Sequence, residues 1–213
     1  NNIRVQFPIM TKLKAKLKGI NDPYVDAVFN ASLSLERGET LGLVGESGSG
    51  KTTLGRAILG LVRTKSGSAE YNGRDLCQLN SREFKPLRRN MAMMFQDPVG
   101  SLSPRQTVRS LMVEPFKIHG IEKNYDEEAK RLCETVRLPE NFLSRYPHEL
   151  SGGQARRVGV ARALALNPEF IIADEPTAGL DVSVQGEILN LMNDLQDEHG
   201  IAYLVISHNL PVV

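Results

Sequence analysis

The spacing of apolar and polar residues changes several times along this chain, and each spacing predicts an element. Residues 3–7 and 25–35 alternate apolar with polar, as half-buried strands do. Residues 40–44 form a short apolar run into a glycine-rich loop, and helical spacing follows over 52–61. Residues 68–71 and 91–95 predict two further strands, with Met91, Met93 and Met94 as core filler. Between about residues 100 and 150 the character changes. Helical patterns cover 107–119 and 126–136, are broken by Gly120 and Pro139, and predict an inserted helical lobe. A helix over 151–166 comes next, then a continuous apolar run at 170–173 that predicts a strand buried on both faces. Amphipathic spacing over 183–199 and a second buried strand at 202–206 follow. Strands alternating with helices imply an α/β fold with a mainly parallel sheet.

Composition narrows this picture. A chain of 213 residues, 41% of them hydrophobic, suits one large domain or one domain with an inserted lobe. The net charge of +1 gives no support to a broad polyanion-binding surface, so nucleic acid is not expected as a partner. No apolar run approaches the ~18 residues of a membrane span, and no secretory leader is visible. The expectation is a soluble chain with a cytosolic site. It starts without Met and stops after a strand-like run, and so reads as an excised domain. Cys77 and Cys133 lie far apart without metal-ligand spacing and are expected to be ordinary thiols. Lys12, Lys14, Lys16 and Lys18, followed by Gly19 and Asn21-Asp22-Pro23, read as a solvated loop or hairpin insertion; the sharper alternative is contact with anionic lipid headgroups.

Three segments carry chemistry. Gly45-Glu46-Ser47-Gly48-Ser49-Gly50-Lys51-Thr52 fits the phosphate-loop pattern between a strand and a helix, with Thr53 next. Its glycines let the backbone curl so that successive N–H groups face phosphates, and the helix adds its positive end. Lys51 supplies a point charge for the β- and γ-phosphates and Thr52 a hydroxyl for Mg²⁺. The strand at 170–173 ends in Asp174 and Glu175. Strand carboxyl ends gather ligands, so Asp174 is a candidate Mg²⁺ holder and Glu175 a candidate base for the attacking water. Leu150-Ser151-Gly152-Gly153-Gln154 opens the third segment. Ser151 there reads as an N-cap, and the glycines as a close backbone approach to an anion.

With these motifs in this order the chain resembles the nucleotide-binding domains of ABC transporters along its whole length. The loop at 45–52 matches Walker A, Gln96 the residue after the 91–95 strand, 150–154 the signature, and Asp174-Glu175 the end of Walker B. Ala178-Gly179-Leu180-Asp181 matches the D-loop and His208 the switch histidine. The resemblance implies a P-loop NTPase of ABC type, with a RecA-like core and antiparallel β subdomain at 1–97 and 151–213 and a helical subdomain at about 98–150. It implies two such domains paired head to tail around two ATP molecules. Ser151, Gly152, Gly153 and Gln154 then serve the partner's nucleotide, and Asp181 crosses the interface. Gln96 links Mg²⁺ and the attacking water to the transmembrane subunit, and His208 contacts the γ-phosphate and supports Glu175. An N-terminal aromatic residue stacks on adenine in this family; Phe7 matches best and Tyr24 is the alternative.

Finer features resemble the oligopeptide, dipeptide and nickel importer group: Phe95-Gln96-Asp97-Pro98, Ser101-Leu102-Ser103-Pro104-Arg105, Arg145-Tyr146-Pro147-His148-Glu149-Leu150 and the insertion after Phe7. That likeness implies a peripheral ATPase on the cytoplasmic face of a bacterial inner membrane. Its partners are a second ATPase domain, identical or paralogous, two permease subunits and, indirectly, a solute-binding protein. Asn209 departs from the Asp that usually follows the switch histidine. A ribosome- or DNA-acting ABC ATPase and an exporter domain are the alternatives.

Overall fold

The computed structural model describes residues 1–11, 14, 17–19 and 22–209. In chain order its strands and helices are β1 (Ile3–Pro8), β2 (Tyr24–Ala31), β3 (Thr40–Val44), α1 (Lys51–Ile58), β4 (Glu70–Tyr71), β5 (Arg74–Asp75), α2 (Ser81–Leu87), β6 (Met91–Met94), α3 (Val108–Ile118), α4 (Tyr125–Thr135), α5 (Gly152–Leu164), β7 (Phe170–Asp174), α6 (Val182–His199) and β8 (Ala202–Ser207). They fall into two compact units: residues 1–34 with 45–86, and 35–44 with the chain from Leu87 onward.

In the first unit β1 and β2 form an antiparallel ribbon in which Val5 pairs with Val28 and Phe7 with Val25. Val5 and Val28 are buried, so this face of the ribbon is the inner one. The ribbon lies directly behind Gly50: a Cβ there would sit 2.0 Å from the Ala27 carbonyl oxygen. Asn72 and Gly73 both adopt positive φ (48° and 74°), the geometry of a two-residue turn between β4 and β5. Asn80 caps α2 by accepting hydrogen bonds from the Arg82 and Glu83 amides.

In the second unit the sheet order is β3-β8-β7-β6, and every neighbouring pair is parallel. Strand β8 is buried along its whole length and β7 from Ile171 to Asp174, as covered parallel strands require. Residues Leu111, Phe116, Leu132, Val158, Ile171 and Ile188 belong to one buried cluster, which joins α3, α4, α5 and α6 to the sheet. Local signals set the helix ends. The Thr107 hydroxyl accepts from the Ser110 amide at the start of α3, Asn124 caps α4, and Gly200 ends α6 at φ 64°.

The expected α/β fold with a parallel core sheet and an antiparallel N-terminal ribbon is present. Several boundaries differ; the helix expected over 52–61, for one, ends at Ile58. The strand expected over 25–35 stops at Ala31, after Asn30 takes a left-handed φ of 54°. The strand expected over 68–71 is only Glu70–Tyr71, paired in the short β4–β5 hairpin. Of the lysine-rich segment, Lys12, Lys16 and Asn21 lie outside the described residues, and Lys14 and Lys18 are exposed. Among the described residues no helix is long and apolar enough to cross a membrane.

Both cysteines are free thiols. Cys133 is fully buried, and burial pushes its pKa up to about 11. Because the thiolate is the reacting species, an alkylating reagent at neutral pH is expected to label Cys77 in the native protein. Cys133 is expected to react only after denaturation, and mass spectrometry of the labelled peptides checks both.

Candidate functional site

The phosphate loop belongs to the first unit. Gly48 and Gly50 take φ of 81° and 93°, left-handed conformations that β-carbon-bearing residues adopt at a cost. At Gly50 the Ala27 carbonyl removes the remaining room for a side chain. The turn is closed by the Ser49 amide, which donates to the Glu46 carbonyl at 3.2 Å, and α1 begins at Lys51. The Lys51 ammonium folds back over the loop and donates to the Gly45 and Glu46 carbonyls, each at 2.7 Å, and to Ser49 Oγ at 3.4 Å. The first turn of α1 holds no acidic residue, so its amide end carries no competing carboxylate. Phe7 sits two positions beyond Val5 and shares its face of the ribbon, while Tyr24 pairs with Pro8 on the opposite face. Both rings are partly exposed.

The second unit places Asp174, Glu175 and His208 at the carboxyl ends of β7 and β8, with Gln96 beyond β6. Asp174 ends β7 and is 1% exposed. Glu175 extends the β7–β8 ladder by one bond, its amide donating to the Ile206 carbonyl at 2.9 Å, and then turns away at φ 50°. A left-handed non-glycine residue is strained, and the strain aims this carboxylate off the strand end. His208 follows β8 directly, and its Nδ1 lies 2.7 Å from Glu175 Oε1. Gln96 lies two residues beyond β6, with its side chain exposed.

Ser151 caps α5 reciprocally: its hydroxyl accepts from the Gln154 amide, and the Gln154 side chain accepts from the Ser151 amide at 2.9 Å. By position, the Gly152 and Gly153 amides have no acceptor inside the helix. The glycines also have an intramolecular reason that the sequence did not suggest. A Cβ at Gly153 would stand 2.7 Å from Val184 Cγ1, and one at Gly152 would stand 3.2 Å from Leu180 Cδ2. The residues from Ser151 to Gln154 and Asp181 line one open concavity of about 460 Å³. Next to Asp181, Val182 is 84% exposed, an apolar side chain left on the surface.

Sequence reasoning missed Arg156. This arginine is 1% exposed and donates to the Phe95 carbonyl at 2.8 Å and the Gln96 carbonyl at 2.9 Å. Burial pulls its pKa down, and the nearby Asp97 charge opposes that. Further along α5, Arg162 holds the Ser101 carbonyl at 3.3 Å and pairs with Glu114.

Residues 28–178 match the ABC transporter family. The chain belongs to that family. Oligopeptide transport ATP-binding protein AppF of Bacillus subtilis is 46% identical over all of this chain and 64% of its own length. Glutathione import ATP-binding protein GsiA of Salmonella paratyphi A is 54% identical over 89% of this chain and 31% of its own. A putative peptide import ATP-binding protein of Brucella ovis is 48% identical over 86% of this chain. The chain thus spans between 31% and 64% of the length of these relatives. Among solved structures, the ATP-binding cassette MJ0796, dimeric and bound to ADP and Pi after hydrolysis, superposes with a TM-score of 0.84 at 29% identity. That match covers all of this chain and 88% of the other, and a second dimeric structure of MJ0796 superposes equally well. The fold is therefore that of an ABC ATP-binding cassette.

Each unit holds hard oxygen donors of the kind Mg²⁺ takes: the Thr52 hydroxyl in the first, and the Asp174 carboxylate and Gln96 amide oxygen in the second. No cluster of three or more His, Cys, Asp or Glu side chains able to hold a metal occurs among the described residues.

Proposed function

We propose that this chain is the ATP-binding and hydrolysing domain of an ABC importer for peptides or a related small solute. The observation that carries hydrolysis is the Glu175–His208 pair at 2.7 Å, set on adjoining strand ends beside buried Asp174. In this reading residues 45–53 cradle the phosphates, and Thr52, Asp174 and Gln96 hold Mg²⁺. When bound there, the ion would supply positive charge against that developing on the phosphate oxygens. Glu175 orients water and takes its proton, and His208 holds the Glu175 carboxylate in place. Phe7 is assigned to adenine, since it shares the inner face of the ribbon that backs the loop.

Ser151, Gly152, Gly153, Gln154 and Asp181 are assigned to a second cassette's nucleotide in a head-to-tail dimer. The dimeric MJ0796 structures and the exposed Val182 support that assignment. The whole chain is assigned to the cytoplasmic face of the membrane as a peripheral subunit. The import relatives support peptides or peptide-like cargo. The test is transport: the full-length subunit, reconstituted in vesicles with its permeases and solute-binding protein, is expected to drive ATP-dependent peptide uptake. ATP hydrolysis without accumulation of any tested peptide would overturn the cargo assignment.

A further inference from the structure

Beyond the end of β6 the ladder no longer fixes the chain: the last pair of the β6–β7 register is Met94 with Ala173. Gln96 therefore needs another support if its side chain is to be presented in one direction. The two carbonyls that Arg156 holds belong to the peptide planes on either side of the Gln96 α-carbon. Peptide units are rigid planes, so holding both sets φ and ψ of Gln96 and with them the direction of its Cα–Cβ bond. A third contact, 3.5 Å to the Ala178 carbonyl, reaches the turn that follows Glu175.

We propose that Arg156 is a positioning residue for Gln96: from the helix that the signature opens, its guanidinium fixes the backbone from which the Gln96 side chain is presented. This inference rests on the reading of Gln96 as a ligand of Mg²⁺ and the attacking water. Arg156 is suited to the task by geometry. A guanidinium is a rigid planar fork that serves two adjacent acceptors at once, whereas an ammonium is a point donor on a flexible stem. The site is also costly to keep without a purpose. A cation 1% exposed makes its hydrogen bonds here with neutral carbonyls, with the Asp97 charge nearby, and its Nε has no partner among the described residues. An apolar side chain of similar volume would fill the space without that cost.

The experiment uses the full-length subunit and three variants: Arg156→Met, Arg156→Lys and Gln96→Ala. The readouts are thermal stability, nucleotide binding with and without Mg²⁺, the Mg²⁺ concentration giving half-maximal turnover, and amide exchange at residues 95–97. Arg156→Met is expected to leave Mg²⁺-free ATP binding within about twofold. It should raise the half-saturating Mg²⁺ concentration, speed exchange at 95–97, and lower turnover by up to about 100-fold, the scale of a 1 Å misplacement. Combined with Gln96→Ala it should add little, because both changes remove the same contribution. Arg156→Lys should show the same pattern in weaker form, and it decides the matter if the Met variant does not fold. Unchanged Mg²⁺ dependence in the Lys variant, or additive effects in the double variant, would overturn the inference. A Gln96→Ala protein with wild-type Mg²⁺ dependence would instead overturn the reading of Gln96 on which it rests.

Discussion

Replacing Glu175 by Gln is expected to lower ATP turnover by about 10²–10⁴-fold, the range a positioned general base contributes, while ATP binding persists. The substitution keeps the size of the side chain and its ability to accept a hydrogen bond from His208, now 2.7 Å away. It keeps the backbone too: the strained φ of 50° and the amide bond to Ile206 do not depend on the carboxylate. What is lost is a group able to take a proton from water at neutral pH. Because hydrolysis stops while nucleotide is still held, the variant is also expected to accumulate as an ATP-bound dimer. Single-turnover hydrolysis, equilibrium ATP binding and sedimentation of the same sample together check this. Wild-type turnover would remove Glu175 from the chemistry, and lost ATP binding would make it a structural residue. His208→Ala makes a useful companion because it frees the Glu175 carboxylate from its holder. A smaller loss there than in Glu175→Gln fits a histidine that supports the base and does not act as one.

Much of this arrangement was legible in the sequence for reasons that differ from element to element. Strands β7 and β8 were readable because a parallel strand covered on both faces leaves no polar position in its middle, and the runs at 170–173 and 202–206 contain none. The phosphate loop was readable because its pattern is local: the glycines, Lys51 and Thr52 all lie within a few residues of one another. The Glu175–His208 pair lies 33 residues apart and became a geometric fact only once β7 and β8 were neighbours in the sheet. Other features left faint signals. The β4–β5 hairpin has Asn72-Gly73 at its turn, and α2 has Asn80 with Glu83 three residues on, but both elements are too short and polar for their periodicity to register. Arg156 left no signal that spacing could reveal. A charged residue reads as a surface position, and nothing local says that α5 turns this one inward onto the carbonyls of 95 and 96.

Lys51→Met is expected to weaken ATP binding by about 10- to 150-fold. That range corresponds to the loss of a charged hydrogen bond of roughly 1.5–3 kcal/mol. Turnover at saturating ATP should fall further, since the charge also neutralises the transferring phosphoryl group. The structure explains why the lysine has no simple substitute. Its ammonium spans the loop and donates to the carbonyls of Gly45 and Glu46 at 2.7 Å, so one charge ties the loop together. Two of its three donors hold that tie, and the third, on Ser49 Oγ at 3.4 Å, is the one a phosphate would take over. Methionine matches the length of the stem and provides none of the donors, so the loop loses its internal clasp together with its charge. Lys51→Arg separates the two losses. It restores the positive charge, but its wide planar fork does not fit a site that holds a compact ammonium against two carbonyls. Titration of ATP against each full-length variant is expected to rank wild type above Lys51→Arg and Lys51→Met. An Arg variant binding as tightly as wild type would show that charge alone is what the loop requires of this residue.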